Sequence, residues 1–359
     1  MAMLHVFNPE HDLALAYGRE GFTPPAAARR LRAGLGFLPA FWAEPGDLVL
    51  VEDAALACRE AARWARWLPE VHYVSWEDLP RWLPGTAEPL VIDPWGWDAS
   101  LRHRLSAAGV PGAWLPASSE VEEVRKRSHR STTIPLLEHL VATVPHTVGL
   151  RQEAHTLEEV GGWMERYGRV VLKSPWSSSG RGVRFAEGTL SSNLEGFVGH
   201  VLQQQGAVIV EPWYQRVVDF AMEYWCEGHG VTRMVGLSLF TTVNGAYTGN
   251  VLATEEEKWA MMGQLFDAGT LRLLSQAVAD GLTAMCGSYR GPLGVDMMVV
   301  DVDGMRAVHP CVEVNVRRTM GMVAVDVARR TNGHFHVMTV DVSGPLCQLH
   351  LKEKEQKTT

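Results

Sequence analysis

Short apolar runs of strand length alternate with amphipathic stretches over residues 1 to about 115. MLHVF, DLVLVE and PLVID are such runs, each followed by a polar or Gly/Pro turn. Between the second and third, ALACREAARWARWL carries apolar residues at helical spacing, and Ala99–Ala108 reads as another helix. This rhythm predicts a small parallel sheet with helices packed on it, whose loops at the carboxyl ends of the strands are the natural ligand positions.

The Pro- and Gly-containing link GVPGAWLPASS ends that unit. Ser118 or Ser119 is the expected N-cap of the helix EVEEVRKRSHR, which has acids in its first turn and bases in its last. From about residue 145 the strands lengthen: VVLK, AVIVE, VDFAMEYW, VGLSLFTT, GVDMMVV and VEVNV, with helices predicted over Leu157–Tyr167 and Leu271–Met285. The expected division is a βαβ domain over 1–116 and a second domain over 117–350. The second splits into a central part (about 145–210) and a C-terminal part (about 211–350), and a charged tail at 351–359 is expected to be disordered.

Composition changes this picture little. Apolar content of 46% and charged content of 21% are ordinary for a globular protein, and a net charge of -8 argues against a general nucleic-acid binder. The N-terminal residues show no secretory signal, and no apolar stretch approaches the ~20 residues of a membrane span. The five cysteines are far apart with no CxxC pair, which fits reduced thiols and a cytoplasmic location, not a zinc site.

The most informative stretch is VVLKSPWSSSGRGV, from Val170 to Val183. A strand-type run ends in Lys173, and Ser177, Ser178, Ser179, Gly180, Arg181 and Gly182 follow. Small residues let backbone N–H groups approach an anion closely, and the hydroxyls and cations add donors, which is chemistry for holding polyphosphate. In CVEVNV, Glu313 and Asn315 are two apart, so a strand points both to one face and the valines to the other. Oxygen-bearing side chains on a valine strand are costly to bury unless something binds them. With Asp296 from GVDMMVV they suit a hard cation such as Mg²⁺, or Mn²⁺ in its place. A hydrogen-bonded acid and amide at a sheet edge would give the same pattern.

AVIVE ends at Glu211, Pro212, Trp213 and Tyr214, where backbone groups beside an aromatic side chain can read an adenine edge. Asp219 and Glu223 share one face of VDFAMEYW, and one of them can accept from ribose hydroxyls; solvent-facing acids on a half-buried strand give that pattern too.

The order of these parts resembles the ATP-grasp superfamily, which includes D-alanine–D-alanine ligase, glutathione synthetase and the carboxylate–amine ligases. The resemblance covers about residues 117 to 330 and implies an α/β (α+β) ATP-grasp fold behind an N-terminal Rossmann-like pre-ATP-grasp domain. It implies that Lys173 and the Ser177–Gly182 lid hold the phosphates of ATP, that Glu211 to Tyr214 take adenine, and that Asp219 takes ribose. It implies Asp296, Glu313 and Asn315 as magnesium ligands.

Two departures stand out. Where such ligases carry a further lysine before the central domain, this chain has His129 and Arg130. Where several carry an arginine two residues before the first metal aspartate, it has Gly294. Arg317 and Arg318 are the expected replacement and, with Lys173, the expected catalytic cations, because a guanidinium fork binds two oxygens at once.

The implied reaction is transfer of the γ-phosphoryl of ATP to a carboxylate, followed by attack of an amine on the acyl phosphate. Its small-molecule partners are that carboxylate and the amine-type acceptor, with neither nucleic acid nor membrane involved; a homodimer is left open. Acceptor candidates are Asn8, Glu10 and His11 in the turn after the first strand, the Asp93–Trp97 turn, and Tyr247 and Asn250 in TTVNGAYTGN. A kinase acting on a hydroxyl and a regulator without catalysis are the competing readings. A P-loop and a dinucleotide-binding Rossmann motif are both missing from the sequence.

Overall fold

The computed structural model describes residues 2–83, 89–177, 182–243 and 246–353. The chain forms two compact units: Met1–Arg125 with Thr248–Glu255 and Arg317–Thr359, and Lys126–Tyr247 with Glu256–Val316.

The first unit is built on a parallel sheet in the order His72–Ser75, Leu48–Val51, Met3–Val6, Val91–Pro94. The three predicted strands are present. His72–Ser75 was not predicted, because only Val74 of its four residues is buried and no apolar run marks it. Alternation along the strands sends Leu4, Val6, Leu48, Leu50 and Val74 to one core cluster, and Val49 and Val51 to another beside Phe7, Phe37 and Phe41. Helices over Ala54–Ala62 and Ala99–Ala107 begin where Asp53 and Asp98 accept hydrogen bonds from Leu56 N and Leu101 N, both at 2.9 Å. The helix predicted after residue 117 runs Ser118–Arg127, and the Glu120 carboxylate accepts from Ala117 N at 2.7 Å, so no serine side chain is needed at its start.

The second core cluster also receives Val323, Ala324 and Val327 of the Met320–Arg330 helix, and Phe335, Met338 and Leu349 of two antiparallel C-terminal strands. Residues 317–353 therefore belong with the N-terminal sheet, which departs from the expected single domain over 117–350. The pairing that brings them back is between residues far apart in sequence, such as Asn250 with Met338, and local periodicity carries no trace of it. Residues 351–353 of the expected tail belong to strand Gln348–Glu353, and 354–359 lie outside the described residues.

The second unit holds an antiparallel sheet in the order Gln152–Ala154, Val208–Pro212, Arg169–Lys173, Val183–Glu187. Val170, Leu172, Val208 and Val210 point to one face, where helices Leu157–Tyr167 and Ser192–Gln205 cover them. The opposite face carries Lys173 and Glu211. Strands Met305–Asn315, Arg290–Val302, Gln215–Gly228 and Val231–Val243 form an antiparallel run in that order. Phe220, Met222, Tyr224, Val295 and Met297 are buried on its apolar face, and helix Ala268–Cys286 spans the predicted Leu271–Met285. No helix among the described residues is long and apolar enough to cross a membrane.

Candidate functional site

Lys173 pairs with Ile209, and Glu211 with Val171, so the two charged residues are diagonal neighbours on one sheet face. Lys173 Nζ donates to Glu211 Oε2 at 2.6 Å and to the Val312 carbonyl at 3.2 Å. The other Glu211 oxygen accepts from Arg151 Nε at 2.6 Å. Arg151 also donates to Thr133 Oγ1 and to the carbonyls of Cys311 and Val312 at 2.9 and 2.7 Å. All three charged side chains are buried.

Burial alone would raise the Glu211 pKa, but Arg151 and Lys173 outweigh it and hold the carboxyl at about 2. Burial lowers Lys173, with Glu211 opposing that shift. The cluster has two fixed cations and one anion, a surplus of positive charge that suits a phosphate. His309, fully buried beside it, is pushed down to about 3 by burial, and neither ring nitrogen has a hydrogen-bond partner. The Tyr214 ring meets its edge at 5.6 Å.

Glu211 therefore acts through its side chain, a role the sequence did not suggest. The Trp213 N–H of the expected adenine hinge is taken by the Arg169 carbonyl at 3.0 Å. The Trp213 ring carries Arg169 on one contact at 4.1 Å and Phe185 on another at 4.8 Å. Phe185, 55% exposed and opposite Val171, is a large apolar surface on the same face as Lys173. Asp219 accepts from Arg216 at 2.8 Å and from Thr242 Oγ1 at 2.9 Å.

Arg130 connects the start of the serine–glycine loop to the carboxylate strands. Its Nη1 donates to the Ser174 carbonyl at 2.5 Å and Ser177 Oγ at 2.9 Å, and its Nη2 to Glu313 Oε1 at 2.5 Å. The loop closes on itself where Ser174 N donates to the Gly182 carbonyl at 2.8 Å. A Cβ at Gly182 would lie 2.4 Å from that of Ser177, so only glycine fits there. Ser178, Ser179, Gly180 and Arg181 lie outside the described residues.

Asp296 stands directly opposite Glu313, and Gly294 opposite Asn315. Asn315 Nδ2 donates to Asp296 Oδ2 at 3.2 Å, and all three side chains are half-buried. No three His, Cys, Asp or Glu side chains cluster as a metal set among the described residues. Here two carboxylates and a carboxamide oxygen share one face, and that donor set fits Mg²⁺, which needs few protein ligands.

In the first unit, two turns flagged separately by sequence meet. Asn8 Nδ2 donates to the Gly96 carbonyl at 2.8 Å and Asp98 Oδ2 at 3.1 Å, and His11 Nε2 lies 3.1 Å from the Trp97 carbonyl. Asp93 Oδ2 lies 2.8 Å from His5 Nδ1, and Asp47 holds the other ring nitrogen at 3.0 Å. Arg317 grips Asp12 with two bonds of 2.7 and 2.6 Å. Burial would raise Asp12, but Arg317 overrides it and holds the carboxyl below its usual range.

Arg318 is buried, lies 3.0 Å from Asp326 and 3.5 Å from Asp93, and stacks on Trp42 at 4.1 Å. Its guanidinium thus holds this unit together, a placement at odds with the expected role beside the metal set. Asn250 is buried in this unit, opposite Met338. Tyr247, in the other unit, has its hydroxyl pKa raised by burial. Sequence reasoning missed Arg151, His309 and Phe185, none of which lies in a polar motif.

No protein-family model matches the sequence, and no curated protein matches it. Solved structures do. A biotin carboxylase–β-γ-ATP complex from Campylobacter jejuni aligns with a TM-score of 0.54 at 12% identity, over 94% of this chain and 75% of that one. A putative ATP-grasp superfamily protein from Archaeoglobus fulgidus aligns at 0.49 and 13%, over 99% and 100% of the two chains. N5-carboxyaminoimidazole synthetase from Staphylococcus aureus, solved with ADP, aligns at 0.49 and 10%, over 95% and 82%. The likeness to the biotin carboxylase structure shows a shared fold.

Proposed function

We propose that this protein is an ATP- and Mg²⁺-dependent ligase that activates a carboxylate for attack by an amine. The observation that carries the reading is the Arg130 bridge. One guanidinium joins the phosphate-type loop at Ser174 and Ser177 to Glu313, opposite Asp296, on the strands with the donor set for a hard cation. Lys173 and Arg151, with their shared Glu211, supply fixed positive charge for the phosphates. Tyr214, Trp213 and Phe185 offer aromatic surface to the base, and Asp219 an acceptor to the ribose.

Asp296, Glu313 and Asn315 would hold magnesium, which neutralises phosphate charge as it builds. A carboxylate oxygen of the substrate attacks the γ-phosphorus, the bond to the β-phosphate oxygen breaks, and ADP leaves. The amine nitrogen then attacks the acyl carbon, phosphate departs with the bonding electrons, and the amine loses a proton. Lys173 and Arg130 hold the transferring group through positioning and charge, so no protein nucleophile is required.

Asn8, Glu10, His11 and Asn250, all in the first unit, are the proposed acceptor contacts. A screen of amino acids and small carboxylates for acceptor-dependent release of ADP and phosphate, with mass analysis of the product, tests the reading. A stable phosphate ester would make the protein a kinase, and no nucleotide turnover with any acceptor would remove the ligase.

A further inference from the structure

The first unit contains a cavity of about 190 Å³ at the carboxyl ends of strands Met3–Val6 and Leu48–Val51. Its apolar wall comes from Val6, Phe7, Phe22, Leu50 and Leu101, and Trp76 adds a ring with Arg104 stacked on it at 3.7 Å. The charged lining is Glu10, Glu52, Asp98, Arg32 and Arg104, three carboxylates against two guanidiniums.

Those charges are unequally matched. Glu52 has both cations: Arg104 at 3.0 and 3.1 Å and Arg32 Nε at 3.0 Å. Asp98 caps a helix and takes Asn8. Glu10, 6% exposed, uses Oε1 on Arg32, while its buried Oε2 has no hydrogen-bond partner. Burial raises the pKa of both Glu10 and Asp98, and the Asp98 charge raises Glu10 further. A buried carboxylate oxygen left open is destabilising unless a donor arrives.

We propose that this cavity binds a small primary amine with a compact apolar side chain, its ammonium donating to Glu10. The excess of one carboxylate selects a cation over a neutral hydroxyl or an anion, and the apolar wall selects a short alkyl or aryl group. An engineered cavity of about 150 Å³ admits benzene, so this one takes a ligand of roughly 6–8 non-hydrogen atoms. As the acceptor of the reaction proposed above, the amine's role rests on the ligase reading; its binding does not.

The test uses the full chain without nucleotide and three isosteric probes, isobutylamine, isobutanol and isobutyrate, titrated by calorimetry or ligand-observed NMR. Isobutylamine is expected to bind on the order of millimolar, at least about tenfold tighter than either isostere. Equal binding of isobutanol or isobutyrate, or no binding of any probe up to about 100 mM, overturns the proposal. Glu10→Gln should weaken isobutylamine by about tenfold or more. Thr23→Trp, at an exposed position on the lining, should block it without touching the charges and decides the matter should Glu10→Gln fail to fold. Unchanged affinity in Thr23→Trp overturns the site. Titration with ATP and Mg²⁺ separates the two readings: nucleotide binding without amine binding removes this cavity, and amine binding without nucleotide binding removes the ligase.

Discussion

Lys173 and Glu211 sit two residues out of register on neighbouring strands, and their side chains close the gap at 2.6 Å. Arg151 occupies the other Glu211 oxygen at 2.6 Å, so one buried carboxylate is shared by two buried cations. Removing the shared anion should therefore hurt more than removing one cation. Glu211→Gln is expected to cost about 3–5 kcal/mol, because it leaves two buried charges facing each other. Lys173→Met keeps the Arg151–Glu211 pair and should cost less than half as much, while lowering ATP affinity by about tenfold or more. Urea denaturation of the two variants checks the order; equal stability losses would show that the anion is not shared.

Acid should unfold the protein through the same cluster. Glu211 is held at about 2 against an ordinary 4.5, so its contribution is present above 4.5 and is lost as pH falls towards 2. The displacement corresponds to about 3 kcal/mol. His309 is depressed from 6.5 to about 3, so the unfolded chain takes up a proton that the folded chain refuses. Stability associated with His309 is intact above 6.5 and declines as pH falls below it. His309→Leu should remove the decline between pH 6.5 and about 5 without loss at pH 8, since both ring nitrogens are unpartnered. Denaturation midpoints measured at each pH decide this, and an unchanged pH profile would refute it.

Gly96 packs against the His11 ring, and a Cβ there would come within 2.6 Å of it. The ring is fully buried and tied to Trp97, so it has little room to retreat. Gly96→Ala should destabilise the protein by about 1–3 kcal/mol. A melting temperature equal to that of the parent would show that the turn relaxes.

Much of the site was legible because it depends on local alternation. Period-two spacing placed Glu313 and Asn315 on one face, and the register adds Asp296 opposite Glu313. Lys173 was marked by the serine–glycine run behind it. What stayed hidden depends on long-range pairing. Arg151 has no motif around it, and its importance comes from Glu211, which is 60 residues away. Arg317 and Arg318 follow Asn315 by two and three residues in sequence, yet their guanidiniums are held by Asp12, Asp93 and Asp326. The Met320–Arg330 helix was not predicted, and nothing local says that it joins the cluster of Phe37 and Val49. Glu211 was read through its backbone because a strand end shows its hydrogen-bonding groups in sequence and conceals where its side chain points.

Glu313 faces two demands, an ion pair with Arg130 at 2.5 Å and a position opposite Asp296. Glu313→Gln keeps the shape and an oxygen for Arg130 but removes the charge. The side chain is 30% exposed, so the fold should survive with less than about 1 kcal/mol lost. Turnover should fall by about 100-fold or more, because the cation and phosphate charge lose a ligand. Arg130→Lys offers the complementary variant: it keeps a positive charge but cannot reach the Ser174 carbonyl, Ser177 and Glu313 together as a planar fork does. Its expected signature is weakened nucleotide binding with little change in the affinity for Mn²⁺, whereas Glu313→Gln should lower Mn²⁺ affinity directly. Mn²⁺ binding followed by electron paramagnetic resonance, beside ATP titration, reads both. Full Mn²⁺ affinity in Glu313→Gln would take Glu313 out of the metal set.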